Sequence, residues 1–174
     1  MEITRNWILE WAEKYDKDNQ EEKMKEERVL KSIKAIGSPP AYLTKDVLKK
    51  IADWKASRTR GYIRKNNPKY VKEVTQVSLT AQNEKLMLEV LTLLNGVSIR
   101  MASAILQFCF PNQYTVMDWR AWQSLRNLGK ISGEIEDTYE CYKKYNDICQ
   151  KIAKQFHVSL RTLDKALWQW KGGV

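Results

Sequence analysis

Residues 94–118, LNGVSIRMASAILQFCFPNQYTVMD, contain the signals that decide the expected fold. Gly96 marks a tight turn, because glycine adopts backbone angles that other residues avoid. Apolar and small side chains then follow at helical spacing as far as Cys109, and Pro111 breaks the pattern. Asp118 heads a further amphipathic run. The stretch therefore predicts two helices joined by a hairpin, then a loop and a third helix.

The same helical periodicity extends along the chain in both directions. The seven glycines and four prolines fall where helices are expected to end. We therefore expect an all-α protein, a single compact helical domain of roughly eight to ten helices over residues 1–174. Within it we place a helix-hairpin-helix motif at about residues 86–109, and an aspartate-bearing loop and helix at about residues 110–128.

Composition argues against several classes of protein. The chain has no apolar run as long as a membrane span and no secretory leader at its start. We expect an intracellular monomer, cytoplasmic or nucleoid-associated, without a membrane partner. The three cysteines, Cys109, Cys141 and Cys149, and the single histidine, His157, lack the spacing of a metal site. We expect no metal held by protein side chains, and we expect the cysteines to be small buried residues.

The formal charge of +9 is concentrated in one segment. Residues 45–72 contain ten Lys or Arg side chains and two Asp side chains, a local charge of +8. Such a positive field attracts a polyanion, and nucleic acid gains affinity from it by counterion release. A solvated basic helix face is the alternative interpretation. Lys55 and Arg58 follow Trp54 within this segment, and we expect these residues to border a nucleic-acid cleft.

The hairpin at residues 95–98 is expected to present main-chain N–H groups at the start of the next helix. A helix start of this kind binds phosphate readily and holds nucleic acid without reading its sequence. An ordinary pair of packed helices, with Ser98 as N-cap, is the other interpretation. Asp118 also has two interpretations, because an aspartate at a helix start is most often only a cap.

These features together resemble the HhH-GPD superfamily of DNA glycosylases, in which a helix-hairpin-helix motif precedes a catalytic aspartate. Leu94 and Gly96 match the hairpin, Ala102 lies in the small-residue helix after it, and Asp118 stands at the position of the aspartate. The resemblance implies hydrolysis of the N-glycosidic bond of a damaged or modified base in double-stranded DNA. In that chemistry Asp118 is the catalytic carboxylate, which stabilises the oxocarbenium-like sugar and guides a water to it.

The resemblance also implies how the hairpin binds DNA. It would anchor a phosphate through Asn95, Gly96, Val97, Ser98 and Arg100. Ser98 replaces the second hairpin glycine of the family, and Arg100 replaces the lysine of its bifunctional members. A guanidinium stays protonated and cannot form a Schiff base. We therefore expect a monofunctional enzyme without an organic cofactor, although such hairpins can share a monovalent cation with the phosphate.

A glycosylase also extrudes its target base and holds it by stacking. Of the seven tryptophans, we expect Trp54, Trp119 and Trp122 to line the base pocket or to act as a wedge. A structural role in the core is the alternative for each of them, since most tryptophans bury a large apolar surface.

Two other functions are compatible with the sequence. A non-catalytic helix-hairpin-helix DNA-binding module would keep the hairpin and the positive charge, and it would use Asp118 only as a cap. A helical protein-interaction domain would use the hairpin for packing. The sequence leaves open which base is excised and whether Lys55 or another lysine supplies lyase activity.

Overall fold

Short polar side chains set where most of the helices begin. The computed structural model of the protein describes residues 2–170. In that part of the chain, eight α-helices follow a residue whose side-chain oxygen accepts an N–H of the first turn, which satisfies a donor that the helix cannot. These residues are Thr4, Thr44, Asn67, Asn83, Ser98, Asp118, Thr138 and Ser159. The expected caps at Ser98 and Asp118 are confirmed.

Ten α-helices and one short 3-10 helix follow one another over residues 2–170, with no β-strand among them. They are α1 (Arg5–Asp18), α2 (Gln20–Ile36), α3 (Lys45–Ala56), the 3-10 helix (Ser57–Thr59), α4 (Arg60–Arg64), α5 (Pro68–Thr80), α6 (Glu84–Leu91), α7 (Ile99–Cys109), α8 (Trp119–Asn127), α9 (Tyr139–Gln155) and α10 (Leu160–Trp170). The expected all-α fold of one compact domain is confirmed. None of the described helices combines the length and the apolar character needed to cross a bilayer.

Helix α7 lies at the centre of the domain. All of its side chains except that of Arg100 are buried, and it packs against α2, α3, α6 and α9. The small side chains of Ala102, Ser103 and Ala104 let the neighbouring helices approach closely, as a densely packed interior requires. Helix α7 therefore fixes both the hairpin that precedes it and the loop that follows it.

The loop after α7 turns back along that helix. The Met117 N–H donates to Ser103 Oγ at 2.9 Å. The Thr115 N–H donates to Asn146 Oδ1 of α9 at 3.0 Å. These two bonds place Asp118, at the start of α8, near the middle of α7 rather than beyond its end.

The first and last helices pack against each other, and α10 also packs against α8. Trp7 and Trp170 meet edge to face with ring centroids 5.7 Å apart, and Tyr15 and Trp168 do so at 5.2 Å. Such aromatic pairs add to the stabilisation that burial gives. Because α8 begins next to Asp118, this packing brings side chains of α1 and α10 to the same end of the domain.

The prediction that Trp122 lines a base pocket is wrong. Trp122 is 1% exposed and belongs to the inner face of α8 with Ala121 and Leu125. Its ring stacks on Tyr145 at 6.0 Å, and its indole N–H donates to Gly133 O at 3.2 Å. The side chain thus has both an apolar environment and a partner for its donor, which is the usual condition of a core tryptophan.

Two of the three cysteines are buried, as expected. Cys109 and Cys149 lie in the core, and Cys141 is half-buried. Burial raises the pKa of the Cys109 thiol to about 12. A thiol with such a pKa carries almost no thiolate at neutral pH, so Cys109 is unreactive.

Replacing Gly96 by alanine is expected to lower the free energy of unfolding by about 3 kcal/mol. Gly96 has a φ of +82°, and an added Cβ would lie 2.9 Å from Tyr62 Cβ and 3.3 Å from the Ile63 nitrogen. Gly129→Ala is the matched control, since Gly129 has a φ of +66° and no atom within 4 Å of the added Cβ. Its expected loss is about 1 kcal/mol, from backbone strain alone. Equal losses in urea denaturation would contradict the close approach at the hairpin.

Candidate active site

Asp118 is both the N-cap of α8 and one half of an ion pair. Its Oδ1 accepts the Arg120 N–H at 2.9 Å, and its Oδ2 accepts a hydrogen bond from Lys55 Nζ at 2.6 Å. The side chain of Lys55 is 12% exposed and that of Asp118 is 25% exposed. The carboxylate is therefore a cap and a largely buried charge at once. The two interpretations of Asp118 from the sequence do not exclude each other.

The pKa of Asp118 lies below its ordinary value. Burial by itself would raise this pKa, but the charge and hydrogen bond of Lys55, together with the Arg120 N–H, outweigh the effect of burial. Asp118 is consequently ionised at neutral pH. A fixed negative charge in a partly desolvated site is suited to stabilising a positive charge that develops beside it.

Lys55 reaches Asp118 because α3 is anchored on α7. Trp54 packs edge to face on Phe108 of α7, with ring centroids 4.9 Å apart. Lys55 follows in the last turn of α3, where the helix dipole favours a positive side chain. The sequence predicted Lys55 at the border of a cleft, but not its pairing with a residue 63 positions away.

A cleft of about 410 Å³ brings most of the expected site residues together around Asp118. The hairpin contributes Gly96, Ser98 and Arg100, the basic segment contributes Lys55 and Arg58, and α8 contributes Trp119 and Arg120. Trp119 is 56% exposed and offers its ring to solvent. The cleft lining therefore carries more positive than negative charge, which suits a polyanion.

The hairpin offers main-chain donors to this cleft. Within residues 2–170, the N–H groups of Gly96, Ser98 and Ile99 have no hydrogen-bond partner, and neighbouring free N–H groups at a helix start form an anion site. Val97 differs, because its N–H donates to Leu94 O at 3.1 Å and its side chain is buried. Val97 therefore offers neither its N–H nor its side chain to the cleft, and it holds the turn.

Asn95 ties the hairpin to the end of α4 instead of lining the cleft. Its N–H donates to Asn66 Oδ1 at 2.8 Å, and its carbonyl accepts from Asn66 Nδ2 at 2.9 Å. The Leu94 carbonyl also accepts a hydrogen bond, from the Val97 N–H. Each of these two carbonyls retains one lone pair for the monovalent cation that the resemblance implies.

An acidic side chain already holds the Arg100 end of the hairpin. Asp137 Oδ1 accepts the Arg100 N–H at 3.2 Å and lies 3.6 Å from the Arg100 Nε. A carboxylate at a helix start occupies the kind of position in which a phosphate binds. An anion that binds to the N–H or the Nε of Arg100 must therefore displace Asp137.

A smaller pocket of about 180 Å³ adjoins the cleft. Lys55, Asp118 and Trp168 line both spaces, so the ion pair lies at their boundary. The remaining walls of this inner pocket are Tyr15, Glu22, Trp54, Val116, Arg161 and Asp164. Trp54 thus lies beside Asp118, whereas Trp119 lies only in the outer cleft.

Two charged residues of α10 at this pocket were not predicted from the sequence. Arg161 donates to both carboxylate oxygens of Glu26 at 2.8 Å and also contacts Asp164. One signal was available, since Asp164 lies four residues after Leu160 and three before Leu167, on the apolar face of α10. A charge on an apolar helix face needs a buried partner, and it marks a polar site inside the fold.

Comparisons of the chain with protein-family models, with curated proteins and with solved structures give no match.

Replacing Lys55 by methionine is expected to destabilise the protein by about 3 kcal/mol at neutral pH. Methionine keeps the apolar part of the side chain but leaves the Asp118 carboxylate largely buried without its partner. The pKa of Asp118 then rises, because the charge of Lys55 no longer opposes burial. The loss should shrink as the pH falls and Asp118 takes up a proton. Chemical denaturation at a series of pH values measures both effects.

Lys50→Met is the matched control, because Lys50 pairs with Asp46 on an exposed helix face. Its expected effect is below about 1 kcal/mol and independent of pH above neutrality. In the double variant Lys55→Met/Asp118→Asn, the penalty for removing the lysine should largely disappear, since no unpaired carboxylate is left. A Lys55→Met loss of the same size at every pH would contradict the ion pair.

Proposed function

We propose that the protein is a monofunctional DNA N-glycosylase, which hydrolyses the bond between a modified base and its deoxyribose. The observation that carries the proposal is the position of Asp118, an ionised carboxylate at the boundary between a basic cleft and a smaller pocket. The resemblance of residues 94–118 to the HhH-GPD superfamily suggests the reaction. The arrangement of charges, main-chain donors and aromatic side chains supports it.

In this proposal the outer cleft binds the DNA backbone. A phosphate accepts hydrogen bonds from the free N–H groups of Gly96, Ser98 and Ile99, and Arg58 adds positive charge. These contacts position the duplex without reading its sequence. The partner is double-stranded DNA, and the enzyme acts as a monomer in the cytoplasm or the nucleoid.

The target base then turns out of the duplex into the inner pocket. Trp54 and Trp168 form aromatic walls of this pocket and provide surfaces for stacking. Trp119, whose ring is exposed at the cleft, is placed to fill the space that the base leaves in the stack. The sugar of the extruded nucleotide lies at the boundary between the two spaces, beside Asp118.

Asp118 acts on the bond between base and sugar. As this bond breaks, positive charge develops on the sugar, and the fixed carboxylate stabilises it. A water molecule guided by the carboxylate then adds to C1′. Arg100 cannot act as a nucleophile, and Lys55 donates to Asp118 as an ammonium ion. Neither side chain forms a Schiff base in this arrangement, so the product is an intact abasic site.

A non-catalytic DNA-binding module is the second candidate function. The hydrogen bond from the Arg120 N–H to Asp118 favours it, because an N-cap alone is sufficient reason for an aspartate at this position. This candidate predicts salt-sensitive binding to DNA without release of a base.

Asp118→Asn is expected to lower the rate of base release by at least about 1000-fold, because asparagine cannot stabilise the developing positive charge. The measurement uses a panel of duplexes, each with one defined oxidised, alkylated or deaminated base, under single-turnover conditions. Free base and strand cleavage are resolved separately. We expect free base with an intact abasic strand.

Asp147→Asn is the matched control, since Asp147 forms an exposed ion pair with Lys143 on α9. It should release base at the wild-type rate. If the wild-type protein binds the duplexes and releases no base from any of them, the module is the correct function. Borohydride trapping of the protein on DNA would instead establish lyase chemistry through a lysine.

Arg58→Ala is expected to reduce the salt dependence of DNA binding by about one counterion, because Arg58 supplies one phosphate contact in the cleft. Fluorescence anisotropy with an undamaged duplex at several salt concentrations measures the slope. Lys154→Ala is the control, since Lys154 lies at the far end of α9, about 20 Å along the helix from the end that faces the hairpin. An equal change of slope in the two variants would argue against the cleft as the DNA site.

A further inference from the structure

Asp164 is an acidic residue of the inner pocket that takes no part in the steps proposed for Asp118. It lines the pocket together with Asp118, and its side chain is almost completely buried, with 4% of the residue exposed. Its Oδ2 contacts Arg161, whereas its Oδ1 has no hydrogen-bond partner. A carboxyl oxygen without a partner keeps its hydrogen-bonding capacity for a group that enters the pocket. Rotation of the carboxyl group about χ2 is soft, so either oxygen can turn towards the pocket.

The surroundings of Asp164 and Asp118 shift the pKa values of the two carboxyl groups in opposite directions. Burial raises the pKa of Asp164 to about 6, aided by the negative charge of Asp118 and opposed by the positive charges of Arg161 and Lys55. Arg161 opposes it only in part, because its Nε and Nη2 donate to Glu26 and only its Nη1 donates to Asp164. Asp118 has a lowered pKa. The two carboxyl groups of one pocket are thus an acid and an ionised base at the same pH.

Three other titratable groups interact with the charge of Asp164, namely Tyr15 of α1 and Tyr145 and Cys149 of α9. Burial raises the pKa of each of them, so they stay uncharged near neutral pH. Two carboxyl groups of α2 also face this region, Glu22 as a wall of the pocket and Glu26 as the ion-pair partner of Arg161. Asp164 is the carboxyl group of this pocket whose pKa is raised to about 6.

We propose that Asp164 donates a proton to the departing base, and that the inner pocket accordingly takes bases that are uncharged in DNA. The inference rests on the proposed glycosylase function and identifies its substrate class. A neutral base leaves as an anion unless one of its ring nitrogens or its carbonyl oxygen is protonated. An acid inside the pocket supplies that proton. A purine alkylated at N3 or N7 already carries a positive charge, leaves as a neutral molecule and needs no acid.

The reaction balances without a further reagent. The electron pair of the bond between C1′ and the base nitrogen goes to the base, and the Asp164 carboxyl gives the base its proton. Asp164 becomes a carboxylate, which Arg161 and Lys55 stabilise. The hydroxyl of a water molecule bonds to C1′ beside Asp118, and the remaining proton of the water restores the Asp164 carboxyl through solvent. The products are the free base and the abasic sugar.

The test compares two duplexes of identical sequence under single-turnover conditions, one with an uncharged modified base and one with 7-methylguanine. The uncharged base is the one released fastest in the lesion panel. Wild type, Asp164→Asn, Asp164→Glu and the control Asp147→Asn are measured as a function of pH. The wild-type rate on the uncharged base should fall about tenfold for each pH unit above about 6.

Asp164→Asn should lower the rate on the uncharged base by about 100-fold near pH 6 and should remove this decline. Any release of 7-methylguanine should change by less than about threefold, because that base needs no proton. Asp164→Glu keeps a carboxyl group and should restore part of the rate together with its decline. A purely structural role for Asp164 would instead lower both rates equally and leave the pH profile unchanged.

The failures of the two proposals differ. No release by the wild-type protein from any duplex overturns the glycosylase and with it the role of Asp164. Release that depends on Asp118 but keeps its rate and pH profile in Asp164→Asn overturns the proton donor alone. If Asp164→Asn does not fold, the pH profile of the wild-type protein decides, because a rate that is flat between pH 5 and about 8 excludes an acid of this pKa.

Discussion

The burial of α7 on all sides is the constraint on which the rest of the structure depends. A helix that is surrounded by other helices needs small side chains wherever one of them crosses closely. In α7 these are Ala102, Ser103 and Ala104. The chain must also leave and enter such a helix through tight connections. The turn at Gly96 provides the entry, and the Ser103 hydroxyl receives the returning loop at Met117. The hairpin and Asp118 lie close together because both are attached to the same buried helix, α7.

Electrostatic balance inside the domain follows from the same packing. Helices α1 and α10 close over the end of α8, and they bring charged residues into a region that is shielded from water. Arg161, Lys55 and Lys165 compensate Glu26, Asp164 and Asp118 there, and Lys165 also pairs with Asp16. Because three cations are shared among four carboxylates, the carboxylates cannot all be equally well neutralised. Asp118 has the closest lysine and keeps its charge, whereas Asp164 is left with the weaker compensation.

Local signals in the sequence were sufficient to predict the helices and where they begin, as Ser98 and Asp118 illustrate. These signals were not sufficient to predict which face of each helix is buried. Met24 and Leu30 fit the apolar periodicity of α2, yet both are exposed. The buried face of α2 contains Glu26 instead, because Arg161 of α10 offers it a partner. The periodicity of one helix cannot reveal a partner that lies on another.

The same reason separates the site residues that were predicted from those that were not. Asp118 and the hairpin lie within one short stretch, so spacing alone related them. The pairing of Lys55 with Asp118 and the position of Asp164 depend on which helices meet, and no local pattern encodes this. Trp122 shows the converse, since its spacing on α8 was equally compatible with a pocket and with the core. The packing of α8 against its neighbours places Trp122 in the core.

At the start of α7, Asp137 competes with any incoming anion for the donors of Arg100. An incoming anion finds a carboxylate already bound to the Arg100 N–H and side chain, and it must exchange with that carboxylate. Each such exchange replaces one charge-assisted contact by another, so the net gain is small and the bound anion leaves quickly. The start of α7 therefore holds an anion more weakly than the same donors would hold it without Asp137.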